Sequence, residues 1–143
     1  MDKDQLKKLI LEYLSRNKLM SLATSFKDTP WAATVFFNFD QGLNIYFISR
    51  PQRRHSLEIL KNPIVAITIN QDFGTPGKIR GLQVQGMAKV SEDKKELDDF
   101  VRRHPWATRF LDSHKLFKIT PTFMRYLDDE RFGPGGNEEL ILS

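Results

Sequence analysis

The segment whose residue types are best suited to bind a ligand runs from Ser49 to His55 and reads Ser-Arg-Pro-Gln-Arg-Arg-His. It follows an apolar stretch, and Pro51 suits the first turn of a helix. Cations there are unfavourable by some tenths of a kcal/mol each, because a helix amino terminus already carries about half a positive charge. Free backbone N–H groups, guanidinium and imidazole donors and a serine hydroxyl together suit a phosphate. The segment therefore predicts a phosphate-binding site, and the alternative is a solvated basic turn.

The elements that must position this segment follow from apolar periodicity. Helical spacing over residues 2–17 predicts an amphipathic helix, with Asp2 and Gln5 placed as a capping pair. Period-two patterns predict strands at 19–26, 31–40 and 43–49, with a turn at 27–30. These three strands are expected to form an antiparallel meander. A helix then begins near Pro51 and stops at Asn62-Pro63.

The second half of the chain adds further short strands and helices. Strands are predicted at 64–70, 78–90, 115–120, 123–128 and 139–142, with loops at 71–77 and 131–137. Gly81 and Gly86 indicate bulges or close backbone approach in the longest strand, and Pro121 separates the two strands around it. A helix is expected over about 92–103, and a further turn opens at Pro105. The elements do not alternate as βαβ units, so the predicted fold is mainly β (α+β), a small antiparallel split barrel with an N-terminal helix and two or three inserted helices.

Composition limits the class of protein. The chain has 143 residues, 40% apolar and 28% charged, with no cysteine, which is typical of a single domain spanning 1–143. Thiol catalysis, thiolate zinc sites and disulfides are thereby excluded. The net charge of +4 is modest and mixed, so nucleic acid is an unlikely partner. No apolar stretch reaches the roughly 20 residues of a membrane helix, and the amino terminus matches no targeting signal. We expect a cytoplasmic protein that does not span a membrane.

Three stretches of the sequence have an order and spacing found in a known family. They are Ala33-Thr34-Val35-Phe36-Phe37-Asn38, then Tyr46-Phe47-Ile48-Ser49, then Arg54-His55 with a helix ending at Asn62-Pro63. In that order they resemble the FMN-binding split barrel of the pyridoxamine 5'-phosphate oxidase-like superfamily, most clearly over residues 19–90. Further on, Arg80-Gly81-Leu82-Gln83, Arg102-Arg103-His104-Pro105 and Phe132-Gly133 are similar to a small bacterial branch of it.

The resemblance implies a cofactor and a set of residues that hold it. The cofactor is FMN, and the implied binding residues are Ala33, Thr34, Val35, Phe36, Asn38, Ile48, Ser49, Arg54, His55 and Gln83. Arg54 matches the family's phosphate arginine, Ser49 takes the hydroxyl position, and His55 replaces a lysine. The resemblance also implies a homodimer with the flavin at the subunit interface, to which the partner subunit contributes.

Several positions depart from the family pattern. The strand that usually begins with an arginine and ends with a lysine has Ala33 and Asn38, so the phosphate site is less positive. The family's glutamine beside the flavin falls at Gly81, while Gln83 lies two residues on, on the same strand face, and is expected to replace it. The carboxyl-terminal tryptophan and Arg-x-His signature that grips pyridoxal phosphate is absent. Vitamin B6 oxidation is therefore not supported.

Other groups of residues give weaker indications of a functional site. His55, His104 and His114 lack the spacing of a metal site, and we expect no metal. The glycine-rich run after Arg131 lacks the ending of a P-loop and is expected to be a loop or a lid. Trp106 could stack on a flavin ring, but beside Phe110 and Leu111 it is expected in the core or, preferentially, at a dimer interface. No hydrolase motif or catalytic carboxylate pair emerges, so no catalytic residue is assigned.

Three functions remain open. The first is an FMN-dependent oxidoreductase that acts on an unknown small molecule, in which the flavin carries the chemistry. The second is a flavin- or haem-type binding or sensing module without turnover. The third, less favoured, is a small barrel that binds nucleic acid through Arg50–Arg54 and exposed aromatic residues.

Overall fold

The computed structural model describes residues 1–71 and 75–142. Its helices are α1 (Lys3–Ser15), α2 (Arg54–Lys61), α3 (Lys94–Arg103) and α4 (Asp129–Phe132), with a 3-10 helix at Pro105–Phe110. Its strands are β1 (Leu19–Phe26), β2 (Thr29–Phe36), β3 (Asn38–Phe39), β4 (Ile45–Ser49), β5 (Ile64–Asn70), β6 (Arg80–Ser91), β7 (Lys115–Asp128) and β8 (Asn137–Ile141). Residues 72–74, in the middle of the predicted loop 71–77, lie outside the described part of the chain. None of the described helices is both long enough and apolar enough to cross a bilayer.

The amino-terminal helix forms as its sequence predicts. Asp2 accepts a hydrogen bond from the Gln5 backbone, and the Gln5 side chain accepts one from the Asp2 backbone, which completes a capping box. Its buried residues are Leu6, Ile10, Tyr13 and Leu14, at the spacing of one helix face. The Tyr13 hydroxyl donates to the Ile69 and Arg80 carbonyls at 3.0 and 3.3 Å, so the helix is fixed to the ends of β5 and β6.

The strands form one curled antiparallel sheet. Their order is β2-β1-β5-β6-β7-β4-β3, and β8 pairs with β7 beside this path. Alternate residues of each central strand point into a common apolar core, to which the buried face of α1 also contributes. This is the predicted split β-barrel with an N-terminal helix and inserted helices.

The predicted meander of the first three strands is confirmed for its first hairpin, but the predicted second strand is broken at Phe37, and only its end, β3, pairs with the third strand. β1 and β2 form a hairpin across Lys27 and Asp28, which both have positive φ. β4, however, pairs with β3 and β7 at the other end of the sheet. Apolar alternation fixes which face of a strand is buried but not which strand lies beside it. The chain crosses between the two ends of the sheet at Phe37, which is fully buried.

The two strands predicted around Pro121 are one continuous strand, β7. The pairing of β6 with β7 shifts between Gln85 and Gly86, because Gln85 faces Phe123 and Gly86 faces Pro121, which leaves Thr122 as the extra residue of a β-bulge. A Cβ on Gly86 would lie 2.5 Å from the Thr120 carbonyl oxygen. Proline has no N–H to give to a ladder, and the bulge opposite a glycine accommodates it without ending the strand.

Candidate functional site

A groove lies at the seam where the two ends of the sheet come together. Its volume is about 430 Å³. It is bounded by β2, the end of β4, the start of α2 and the loop before β7. The lining residues are Trp31, Ala32, Ala33, Thr34, Val35, Ile48, Ser49, Arg50, Arg53, Arg54, His55 and His114. Seven of the ten residues that the sequence nominated therefore line one cavity: Ala33, Thr34, Val35, Ile48, Ser49, Arg54 and His55.

One wall of the groove is the open edge of β2. Phe37 N donates to Lys18 O at 2.9 Å, and bonded pairs alternate along an antiparallel ladder. By this alternation, the backbone groups of Ala33 and Val35 bond to β1, whereas those of Ala32 and Thr34 face away from it. No described strand pairs with β2 on that side. Small side chains and unpaired N–H and C=O groups thus offer a flat wall that can hydrogen-bond a planar polar ligand.

A buried hydrogen-bond cluster joins the end of β4 to the start of α2. His55 Nε2 lies 2.8 Å from Ser49 Oγ, and Ser56 Oγ donates to Ser49 Oγ at 2.9 Å. The Ser49 hydroxyl in turn donates to the Arg50 carbonyl at 3.3 Å. With that arrangement Ser49 accepts from both Ser56 and the Nε2–H of His55. Its hydroxyl would therefore reach a ligand only by exchanging the Arg50 carbonyl for it.

The environment of His55 favours its neutral imidazole. Burial lowers its pKa below the ordinary 6.5, and the nearby positive charge of Arg53 lowers it further, while Glu58 acts in the opposite direction. His55, where the resemblance implies a lysine, therefore brings no permanent charge to the groove. A phosphate would favour the imidazolium and raise that pKa.

Arg54 lies at the rim of the groove, held by two neighbours. Its Nε donates to Glu58 Oε2 at 3.0 Å, and its guanidinium carbon lies 4.2 Å from the centre of the Trp31 ring. The other oxygen of Glu58 accepts from the buried Thr24 hydroxyl at 2.7 Å. Because no described residue accepts from the Nη atoms of Arg54, these donors remain for a ligand while the side chain is kept in place.

The start of α2 is strongly positive. Arg53 occupies the cap position, no side chain caps the helix, and the first turn contains no acidic residue. The N–H groups of Arg54, His55 and Ser56 precede the first bond within the helix, which Leu57 N makes to Arg53 O at 3.0 Å. Unpaired N–H groups, the helix dipole and three arginines converge at one end of the groove. This arrangement suits an anion such as a phosphate.

Three nominated residues lie outside the groove. Phe36 packs on Trp106 with ring centres 4.8 Å apart and remains 41% exposed. Asn38 is buried in β3, opposite Tyr46. Gln83 is exposed on the outer face of β6, three strands from β2 and so about 14 Å away, at about 4.8 Å per strand. It lines a separate depression of about 410 Å³ on that outer face of the sheet, together with residues of β1 and β5.

The sequence reasoning missed three residues of the site. Trp31 and Glu58 orient Arg54, and His114 reaches the groove from the loop before β7. The four-residue spacing of Arg54 and Glu58 on a helix was a usable signal for that ion pair. Nothing in the sequence places Trp31 or His114 beside Arg54, because those contacts depend on how the sheet closes.

Comparison with known proteins identifies the family. The family model for pyridoxamine 5'-phosphate oxidase matches residues 6–128, and the chain belongs to that family. It is also similar to a UPF0306 protein of Photorhabdus laumondii, with 32% identity over 104 residues that cover 71% of this chain and 70% of the relative.

Two solved structures show the same fold with different ligands in their descriptions. A haem-binding protein of Mycobacterium smegmatis superposes with a TM-score of 0.75 at 15% identity, covering 89% of this chain and 54% of the other. An FAD-binding protein of Mesorhizobium loti superposes with a TM-score of 0.69 at 17% identity, covering 82% and 89%. At these identities the two structures show a shared fold, and the haem and the FAD are the ligands of those two proteins.

Proposed function

We propose that this protein binds FMN in the seam groove and acts as a flavin-dependent oxidoreductase on a small molecule. The observation that carries the proposal is the groove itself, which joins a flat, open strand edge to a cluster of anion donors at the start of α2. FMN has a planar ring with polar edges and a phosphate at the end of a flexible chain. The two ends of the groove suit these two parts.

The residues present fit the cofactor on two counts. The phosphate would be held by the N–H groups at the start of α2 and by the Nη atoms of Arg54, which Glu58 and Trp31 hold at the rim. The ring would lie along Ala32–Val35, whose small side chains leave room for it. When bound, the flavin supplies the hydride and electron chemistry. The chain supplies binding, orientation and the exclusion of water.

We further propose that the active form is a homodimer with the groove near the subunit boundary. Beside the groove, Phe36, Trp106 and Phe110 form an exposed aromatic ridge, with 41%, 38% and 38% of their surfaces accessible. Their ring centres are 4.8 and 6.0 Å apart. A contiguous apolar surface of this kind is typical of an interface.

The decisive experiment is the absorption spectrum of the purified protein, followed by titration with FMN and with riboflavin. A flavin spectrum and a preference for FMN over riboflavin support binding through the phosphate. Reduction of the bound flavin by a nicotinamide donor, with reoxidation by an added acceptor, then supports an enzyme. Stable binding without turnover leaves a sensing or storage module, and a Soret band in place of a flavin spectrum would assign the groove to haem.

A further inference from the structure

We propose that a second hollow beside the groove binds an adenosine diphosphate moiety, which extends the ligand beyond the FMN phosphate. The hollow has a volume of about 840 Å³ and is formed by two short segments, residues 50–53 and 111–115. The inference rests on the proposed function, because it takes the start of α2 to be the phosphate end of the flavin. It adds a subsite and a class of ligand to that proposal.

The hollow and the groove are continuous. Arg50, Arg53 and His114 line both of them. Lys115 lies directly opposite Ser49 in the pairing of β4 with β7, so it extends the hollow from the same end of the sheet. A ligand whose phosphate lies against α2 can therefore continue past Arg53 into the hollow without leaving the surface.

The charges in the hollow are unbalanced. Arg50, Arg53 and Lys115 have no carboxylate within ion-pair distance among the described residues, whereas the adjacent Arg54 is paired with Glu58. Asp112 also lines the hollow and is likewise unpaired within residues 1–71 and 75–142. Three cations thus face one carboxylate, and they suit a phosphate beyond the one held by α2.

The positive charges of the hollow affect the pKa of His114. Burial lowers its pKa below the ordinary 6.5, and Arg50 and Arg53 lower it further. These surroundings favour the uncharged form of His114. It can offer an uncharged ring to a base, while the arginines supply the charge.

The walls of the hollow suit a nucleoside. Pro51 and Leu111 are partly buried apolar residues, and the His114 ring packs against Phe110 with centres 5.2 Å apart. A cavity of several hundred Å³ with apolar walls and a few charged groups is typical of a nucleotide-sized ligand. The adenosine diphosphate could belong to FAD, whose flavin occupies the groove, or to a nicotinamide dinucleotide bound beside FMN.

The test compares ADP, FMN, FAD and NADH binding by isothermal titration calorimetry in the full chain. The variant Lys115→Gln removes the cation of the hollow that does not also line the groove, and Lys8→Gln on the exposed face of α1 is the control. We expect Lys115→Gln to weaken ADP binding about tenfold, because a charge-assisted contact contributes strongly, and to leave FMN binding within about twofold. A parallel loss for FAD assigns the diphosphate to the flavin, and a parallel loss for NADH added to FMN-loaded protein assigns it to the donor.

The outcomes separate this inference from the proposed function. Equal ADP binding in wild type and Lys115→Gln, or no ADP binding at all, overturns the subsite even if FMN binds well. Failure of FMN and FAD to bind overturns the proposed function, and the ADP titration still shows whether the hollow holds an adenosine diphosphate. Thermal unfolding of each variant is measured alongside, so that a loss of folding is not mistaken for a loss of the site.

Discussion

His55 Nε2 and Ser49 Oγ lie 2.8 Å apart in a buried cluster that fixes the first turn of α2 against the last residue of β4. Ser56 Oγ donates to the same serine at 2.9 Å. The backbone N–H groups at the start of α2 are thereby held in one position relative to the wall of the groove. Rigid placement of donors lowers the entropy cost of holding an anion.

We predict that the stability of the protein falls as pH drops below about 6.5. The pKa values of His55 and His104 are lowered mainly by burial, so the unfolded chain binds more protons than the folded one. The stabilisation from these groups is complete above the unfolded pKa and is lost as pH falls through the folded one. Each unit of depression is worth about 1.4 kcal/mol. Urea unfolding at several pH values measures the slope, which His55→Gln should reduce; an unchanged slope in that variant would contradict the prediction.

We predict that Arg54→Ala weakens FMN binding about 10-fold to 150-fold while riboflavin binding changes little. Loss of a hydrogen bond to a charged group costs about 1.5–3 kcal/mol, and riboflavin has no phosphate. Arg16→Ala is a matched control, because Arg16 forms the same four-residue ion pair with Glu12 on α1. Titration of both ligands into the three proteins gives the comparison. Equal losses for FMN and riboflavin would show that Arg54 supports the fold and not the phosphate.

FMN affinity should also fall as pH rises through the bound-state pKa of His55. Phosphate raises that pKa, and only the imidazolium attracts the phosphate. The pH dependence should be reduced in His55→Gln, whose amide can replace the Nε2–H without titrating. FMN titrations across neutral pH test this, with riboflavin as the reference ligand. A His55→Gln profile that matches wild type would remove His55 from the phosphate site.

We predict that Gly86→Ala destabilises the fold by about 2 kcal/mol or more. Its Cβ would lie 2.5 Å from Thr120 O and 3.0 Å from Pro121 Cα, both backbone atoms of the bulge that cannot move aside cheaply. Gly81→Ala in the same strand is the control, because its nearest contact would be an ordinary 3.7 Å. Chemical unfolding of both variants measures the difference. Similar stabilities would mean that the bulge adjusts.

We predict that Trp106→Gln weakens a homodimer, measured by light scattering at micromolar concentration. The substitution removes an aromatic ring from the ridge, and Trp106 is not one of the buried core residues. Leu60→Gln on α2 is the control, because Leu60 is 68% exposed and lies outside the ridge. A wild-type protein that is already monomeric would refute the proposed dimer outright.

Much of the fold can be predicted from the sequence, because the signals for helix ends and strand faces are local. The capping box of Asp2 and Gln5 fixes where α1 begins, and Asn62-Pro63 fixes where α2 ends. Strand pairing was harder to predict, because β4 pairs with β7 some 70 residues further along the chain, and no local pattern encodes which strand is the partner. Pro121 was misleading for a related reason, because its bulge depends on a glycine in another strand.

The residues of the candidate site also differ in how well the sequence predicts them. Ser49, Arg54 and His55 lie close together in sequence, and they come together in the groove. Gln83 was nominated from its strand face, but the strand order separates β6 from β2 by two intervening strands. The contacts of Trp31 and His114 depend on the closure of the sheet, and a one-dimensional pattern does not contain that information.

The open edge of β2, which forms the wall of the groove, also affects how the protein associates with itself. An unpaired strand edge is a template for the strands of other molecules, and proteins ordinarily protect such edges with proline, charge or a covering element. Pro30 removes one donor near the start of β2, but Ala32–Val35 carry no charge. A ligand along this edge would therefore shield the chain from self-association, and loss of the ligand should bring slow aggregation through β2.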